Sequence, residues 1–229
     1  MAFSLKGIHV PHRKNTADMS AIRMPAPKTV TLLTAMHIGK PAKAVVKAGD
    51  QVFVGTSVAE QDGFISSPVY SSVSGTVKSV ADTLLSNGKT APAIIIESDG
   101  EMTPDESIAV PQVNSKEDFI EAVKKSGIVG LGGAGFPVYV KFATDKKVDT
   151  LVINGAECEP YITSDSVTMV DRADDILLAI ETADKYFNFD KIVIGIEKNK
   201  PSAIAKMKEL SAKNSKVQVK VLPAIYPQG

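Results

Sequence analysis

The sequence predicts a molecule of two classes in series, an all-β part followed by an α/β part with a parallel sheet. Three observations carry this. From residue 29 to about 98, short Val/Ile/Thr-rich runs are separated by Gly, Asp, Asn or Pro, the pattern of a small sandwich or barrel. From Asn114 onward, apolar strands alternate with helical patterns of about 10–20 residues, as in a parallel sheet with helices packed on it. Between them, residues 101–114 are acidic, contain Pro and show no period, so they read as a linker.

Bulk properties narrow the function classes. The 229 residues suffice for one large domain or two small ones. Lys+Arg and Asp+Glu both number 26, giving zero net charge, so nucleic acid is not an expected partner. No apolar run approaches the roughly 18 residues of a membrane span, and no secretory signal opens the chain. The one Cys excludes an internal disulfide framework and cannot ligate an iron–sulfur cluster alone. The sequence stops on KVQVKVLPAIYPQG, a strand and a turn signal without a closing element. The expectation is a fragment.

Residues 1–28 form an irregular arm, because Pro11, Pro25 and Pro27 interrupt pairing. His9 and His12 stand three apart, but Pro11 lies between them and no second ligand pair exists; no metal site is expected there. Residues 29–100 carry the β runs TVTLLTAM, KAVVKAG, QVFVGTSVAE, GFISSPVYS, GTVKSV and PAIIIES. Residues 115–229 form the α/β domain. Ser115 with Asp118 offers an N-cap, Phe119, Ile120 and Val123 an apolar stripe, and Gly127 a C-terminal stop. Pro137 suits N1 of a short helix. A strand runs over 150–153, and Asp165 is expected to cap one long helix bearing Ile176, Ile180, Ala183 and Phe187. Lys191–Ile196 is a near-continuous apolar strand of the parallel kind. Pro201 opens a helix with Ile204, Met207 and Leu210 inward, and Val217–Leu222 is a further strand.

The chemistry concentrates in residues 126–160. Gly130-Leu131-Gly132-Gly133-Ala134-Gly135 satisfies G-x-G-x-x-G. A dinucleotide fingerprint leaves a strand and enters a helix, with an acid about 20 residues on. Here a helix precedes it, so an ordinary NAD loop is disfavoured against a packing turn or an anion-binding corner. Lys141 lies one turn into the following helix, within reach of a phosphate or else simply solvated. Asn154-Gly155-Ala156-Glu157-Cys158-Glu159-Pro160 ends a strand, where ligands of α/β sheets sit. Cys158 has no His after it in the chain, so it reads as a small packing residue rather than a nucleophile.

The segment VVKAGDQVFVGTSVAE…ISSPVYSSVSGTVKSV resembles biotinyl/lipoyl-type barrel-sandwich modules. It departs at the hairpin tip, Glu60-Gln61-Asp62-Gly63: no Lys lies between Lys47 and Lys78, so a docking platform is expected rather than a swinging-arm carrier. IVGLGGAGFPVYVK, TLVINGAECEPYITSD, IGIEKNKPSAI and YPQG, with GIHVP and MHIGKPAKAVVKAGDQV upstream, resemble the RnfC family of Rnf ferredoxin:NAD oxidoreductase complexes. More distantly they resemble the FMN- and NADH-binding subunit of respiratory complex I.

That resemblance implies an N-terminal barrel-sandwich domain and a Rossmann-like FMN-binding domain, truncated at its C-terminal end. It implies FMN and NAD(H) as cofactors, with 4Fe–4S clusters in a cysteine-rich region outside these residues. It implies the other subunits of a membrane redox complex as partners, ferredoxin indirectly, and a peripheral position on the cytoplasmic face of the cell membrane. By resemblance Gly130, Gly132, Gly133 and Gly135 form the loop over the flavin, and Phe136 lies near the nicotinamide. Lys141 and Asn154 contact flavin, Glu157 and Glu159 stand beside flavin and NADH, and Glu197 ends the next strand. Ala156 replaces an acid of the complex I pattern but suits the Rnf pattern. The implied activity is hydride exchange between NADH and FMN, with electrons passed on to iron–sulfur centres; the fragment alone is expected to be inactive. A paralogous flavoprotein feeding another reductase, and a non-catalytic docking module, stay open as alternatives.

Overall fold

A computed structural model describes residues 7–85, 88–131 and 135–229. The chain divides into two compact units. Met24–Asp145 forms one, here the β unit. Lys146–Gly229 forms the other, the α/β unit, together with the N-terminal arm up to Arg23. The cut falls after the Gly-rich stretch rather than at residues 101–114, and the arm belongs with the α/β unit.

The β unit holds strands β1 (Thr29–Leu33), β2 (Lys43–Ala44), β3 (Gln51–Val52), β4 (Ser57–Glu60), β5 (Val69–Tyr70), β6 (Gly75–Leu84) and β7 (Thr90–Ser98). They form two antiparallel sheets, β1-β7-β6-β3 and β2-β4-β5. Alternation explains the core: Val52, Val77, Ile94 and Ile96 from one sheet meet Val58, Ala59 and Val69 from the other, each at most 4% exposed. A register shift between Val77 and Ser79 bends β6 against β7. At the hairpin tip Asp62 pairs with Lys40 at 2.8 Å and Gln61 donates to the Tyr139 hydroxyl at 2.7 Å.

Two helices complete this unit. Helix α1 (Lys116–Lys125) has the capping box its sequence predicts: Ser115 Oγ accepts from the Asp118 amide at 3.0 Å, and Asp118 Oδ2 from the Ser115 amide at 3.1 Å. Gly127 ends it at φ +69°. Helix α2 (Val138–Phe142) is five residues long, with Pro137 at its N-cap rather than at N1.

The α/β unit has strands β8 (Thr150–Gly155), β9 (Lys191–Glu197) and β10 (Val217–Leu222), parallel and in the order β10-β9-β8. The central place of β9 accounts for its apolar run: Ile192, Ile194 and Ile196 are at most 1% exposed. Helix α5 (Pro201–Ser211) buries Ala203, Met207 and Leu210. The single long helix expected after Asp165 is instead two, α3 (Ser164–Asp171) and α4 (Ala173–Phe187), broken at Arg172 (φ −122°, ψ 29°). Asp174 and Asp175 then favour a fresh helix start at α4. Asp165 is not the N-cap, which is Thr163; the Asp165 amide is capped by Glu157 Oε1 at 2.7 Å.

Candidate functional site

The Gly-rich stretch belongs to the β unit. Gly132 and Gly133 lie outside the described residues. Around them the chain folds back on itself: the Gly130 amide donates to Phe136 O at 3.0 Å, the Gly135 amide to Gly130 O at 3.1 Å, and Val129 bridges Pro137. Those two amides are therefore satisfied within the loop. This is a closed turn, not a strand entering a helix. Gly135 is required by its backbone: at φ +67°, an added Cβ would stand 2.9 Å from both Met36 O and His37 Cα. Ala35–Ile38 and the loop line a cavity of about 420 Å³. Phe136 is half-buried, and Lys141 is exposed in the last turn of α2.

Asn154, Glu157, Glu159 and Glu197 belong to the α/β unit, at the carboxyl ends of β8 and β9. They divide by burial. Asn154 and Glu159 are exposed, whereas Glu157 is 2% and Glu197 0% exposed. A buried carboxylate must be paired, and both are. Glu197 Oε2 receives the Lys200 ammonium at 2.6 Å and the Glu157 amide at 3.1 Å. Lys200, itself 5% exposed, also donates to Glu157 O at 3.1 Å and Asn199 Oδ1 at 3.3 Å. Glu157 Oε1 caps α3, and its Oε2 lies 3.7 Å from the Lys14 ammonium. The two buried acids thus bracket the loop that presents Asn154 and Glu159. Asn154 Oδ1 accepts the Ala156 amide at 3.0 Å, which fixes its side-chain amide.

Burial, then Lys200, pulls the Lys14 ammonium below the ordinary lysine value, with Glu157, Glu197 and Glu159 opposing. Burial, then repulsion from Glu157 and Glu159, holds the Asp165 carboxyl above the usual range. Buried Glu157 Oε2, Glu197 Oε1 and Asn199 Nδ2 have no hydrogen-bond partner. Buried polar atoms are rarely left so, and their clustering marks a place where polar matter from outside the chain completes the set. Cys158 is buried, its sulfur accepting the Gln228 amide at 3.3 Å. Sequence patterns did not point to Lys200 or Lys14. Glu197 and Lys200 sit three apart just before the helix-opening Pro201, a legible local signal; Lys14 is 143 residues from Glu157 and had none.

The architecture and the site define the class: a barrel-sandwich module joined to a parallel α/β domain whose polar residues gather at the carboxyl ends of its strands. Residues 3–101 match the family described as RnfC barrel sandwich hybrid domain, and residues 123–229 the Nuo51 FMN-binding domain. Three relatives, all RnfC proteins, each align over 97% of this chain. One is from the Na(+)-translocating ferredoxin:NAD(+) oxidoreductase complex of Acetobacterium woodii (42% identical) and one from the proton-translocating complex of Clostridium ljungdahlii (40%). The third is from an ion-translocating oxidoreductase complex of Haemophilus influenzae (35%). The chain spans 52%, 50% and 35% of their respective lengths. It belongs to the RnfC family and aligns with part of those longer proteins.

Proposed function

We propose that these residues form the flavin- and NADH-facing portion of an electron-transferring subunit in a membrane-associated ferredoxin:NAD oxidoreductase complex. The supporting observation is the polar cluster at the carboxyl ends of β8 and β9, on a chain that matches an FMN-binding domain. Its unpartnered buried atoms and its two exposed polar side chains suit the mixed donor–acceptor edge of FMN. FMN, when bound, accepts hydride from NADH and returns electrons singly. The protein's share is orientation and electrostatics. Asn154 offers an amide at the strand end, and Glu159 an exposed carboxylate to orient the nicotinamide of NADH. Glu157, Glu197 and Lys200 hold the backbone beneath them. Gly130 to Gly135, Phe136 and Lys141 contribute a Rossmann-like domain's flavin-side loop. Hydride transfer needs no side-chain acid or base, which agrees with a site built of fixed acids and amides.

The 4Fe–4S clusters that carry the electrons onward, and the contacts to other subunits and to ferredoxin, are assigned to sequence beyond these residues. Among the described residues no helix is long and apolar enough to cross a membrane; attachment to the cytoplasmic face is assigned to partner subunits. The test is Glu159→Gln in the full-length protein. The expected result is retained FMN with kcat/KM for NADH reduced about tenfold, the cost of one charge-assisted hydrogen bond. Loss of FMN with unchanged NADH kinetics in the remaining holoprotein would reverse the assignment.

A further inference from the structure

Positions 12, 14 and 16 of the arm engage the acidic loop. His12 O accepts the Tyr161 amide at 2.9 Å, and the Thr16 and Thr163 hydroxyls meet at 2.7 Å. Lys14 makes the central contact. Its ammonium donates to Glu157 O at 2.7 Å, to Glu159 O at 2.9 Å and to Ile162 O, with Glu157 Oε2 at 3.7 Å. The side chain is 14% exposed. An ammonium has three N–H donors and no acceptor, and all three are directed at carbonyls of one loop. Tyr161 within that loop has φ +70°, a conformation a Tyr holds only when its surroundings impose it. A cage of carbonyl oxygens with one carboxylate is the chemistry that receives a compact monovalent cation; a planar guanidinium does not match it.

We propose that Lys14 is a tethered monovalent cation for the loop 157–162, a positioning residue whose ammonium sets where Glu159 stands. The consequence for NADH rests on the function proposed above; the cage itself does not. Three carbonyls that would otherwise repel one another converge on the charge, and the turn after β8 closes around it. The arm is thus the strap of the site rather than a loose leader.

The experiment uses the full-length protein with Lys14→Gly, read by hydrogen exchange of the peptides covering 157–165 and by NADH kinetics. Exchange of these amides is expected to rise about tenfold, as when one local opening is released. It should return toward the native rate with n-butylammonium, which replaces the deleted side chain, and not with choline, which is too large. The KM for NADH should rise and recover in parallel, with FMN content unchanged. Native exchange in Lys14→Gly, or equal response to both amines, would overturn the proposal. If Lys14→Gly does not fold, Lys14→Met keeps the stem without the charge: faster exchange there supports the cage, and native exchange refutes it. Rescued exchange with unaltered NADH kinetics supports the cage and refutes the role given to Glu159, so the two failures are distinct.

Discussion

Lys200→Met is expected to destabilise the α/β unit by about 3–5 kcal/mol, the cost of leaving a buried charge without its partner. Glu197 is fully buried, and its Oε2 depends on the Lys200 ammonium at 2.6 Å. The same ammonium holds the Glu157 carbonyl, so the substitution also releases the loop after β8. Removing both charges behaves differently: Glu197→Leu with Lys200→Met should recover much of the loss, because no uncompensated carboxylate remains. Urea unfolding, with hydrogen exchange locating the loss, checks both variants. A loss below about 1 kcal/mol for the single substitution would place the pair in a solvated environment, contrary to its burial. The pair lies under the proposed site, so the double variant also separates stability from function: it should fold, yet present Asn154 and Glu159 less firmly.

Gly75→Ala should cost about 3 kcal/mol in the β unit, from backbone strain and overpacking together. Gly75 opens β6 opposite Ser98 of β7 at φ +150°, and an added Cβ would stand 2.1 Å from Glu97 O and 2.9 Å from Ser98 Cα. Those atoms are ladder backbone and cannot yield without breaking the pairing. Gly49 is the internal control: at φ +92° it has nothing within 4 Å of an added Cβ. Gly49→Ala should therefore cost only the left-handed backbone strain, about 1–2 kcal/mol. Equal losses at the two positions would show that contact with β7 contributes nothing.

How far the sequence reached can be seen from particular residues. The run Gly75-Thr76-Val77 announced a strand start, Ser115 and Asp118 a capped helix, and the apolar run 191–196 a parallel strand. These are local signals, and local physics decides them. Other features depend on distant contacts. Nothing near Arg172 is Gly or Pro, yet the helix breaks there. The cap on α3 comes from Glu157, a residue outside the helix. Glu157 and Glu197 read as ligand contacts because acids at strand ends commonly are; their burial against Lys14 and Lys200 fits scaffold carboxylates, and leaves the exposed Asn154 and Glu159 as the pair open to a ligand. The arm read as irregular, and by backbone pattern it is. Its contribution comes through side chains such as Lys14, whose partners lie more than a hundred residues away.

The most direct test of the proposed flavin chemistry is an anaerobic titration of the purified full-length protein with NADH, following the visible absorption of its flavin. The expected result is a yellow protein that retains FMN and is bleached by NADH. A full-length protein that binds no FMN, or whose FMN is indifferent to NADH, would contradict it.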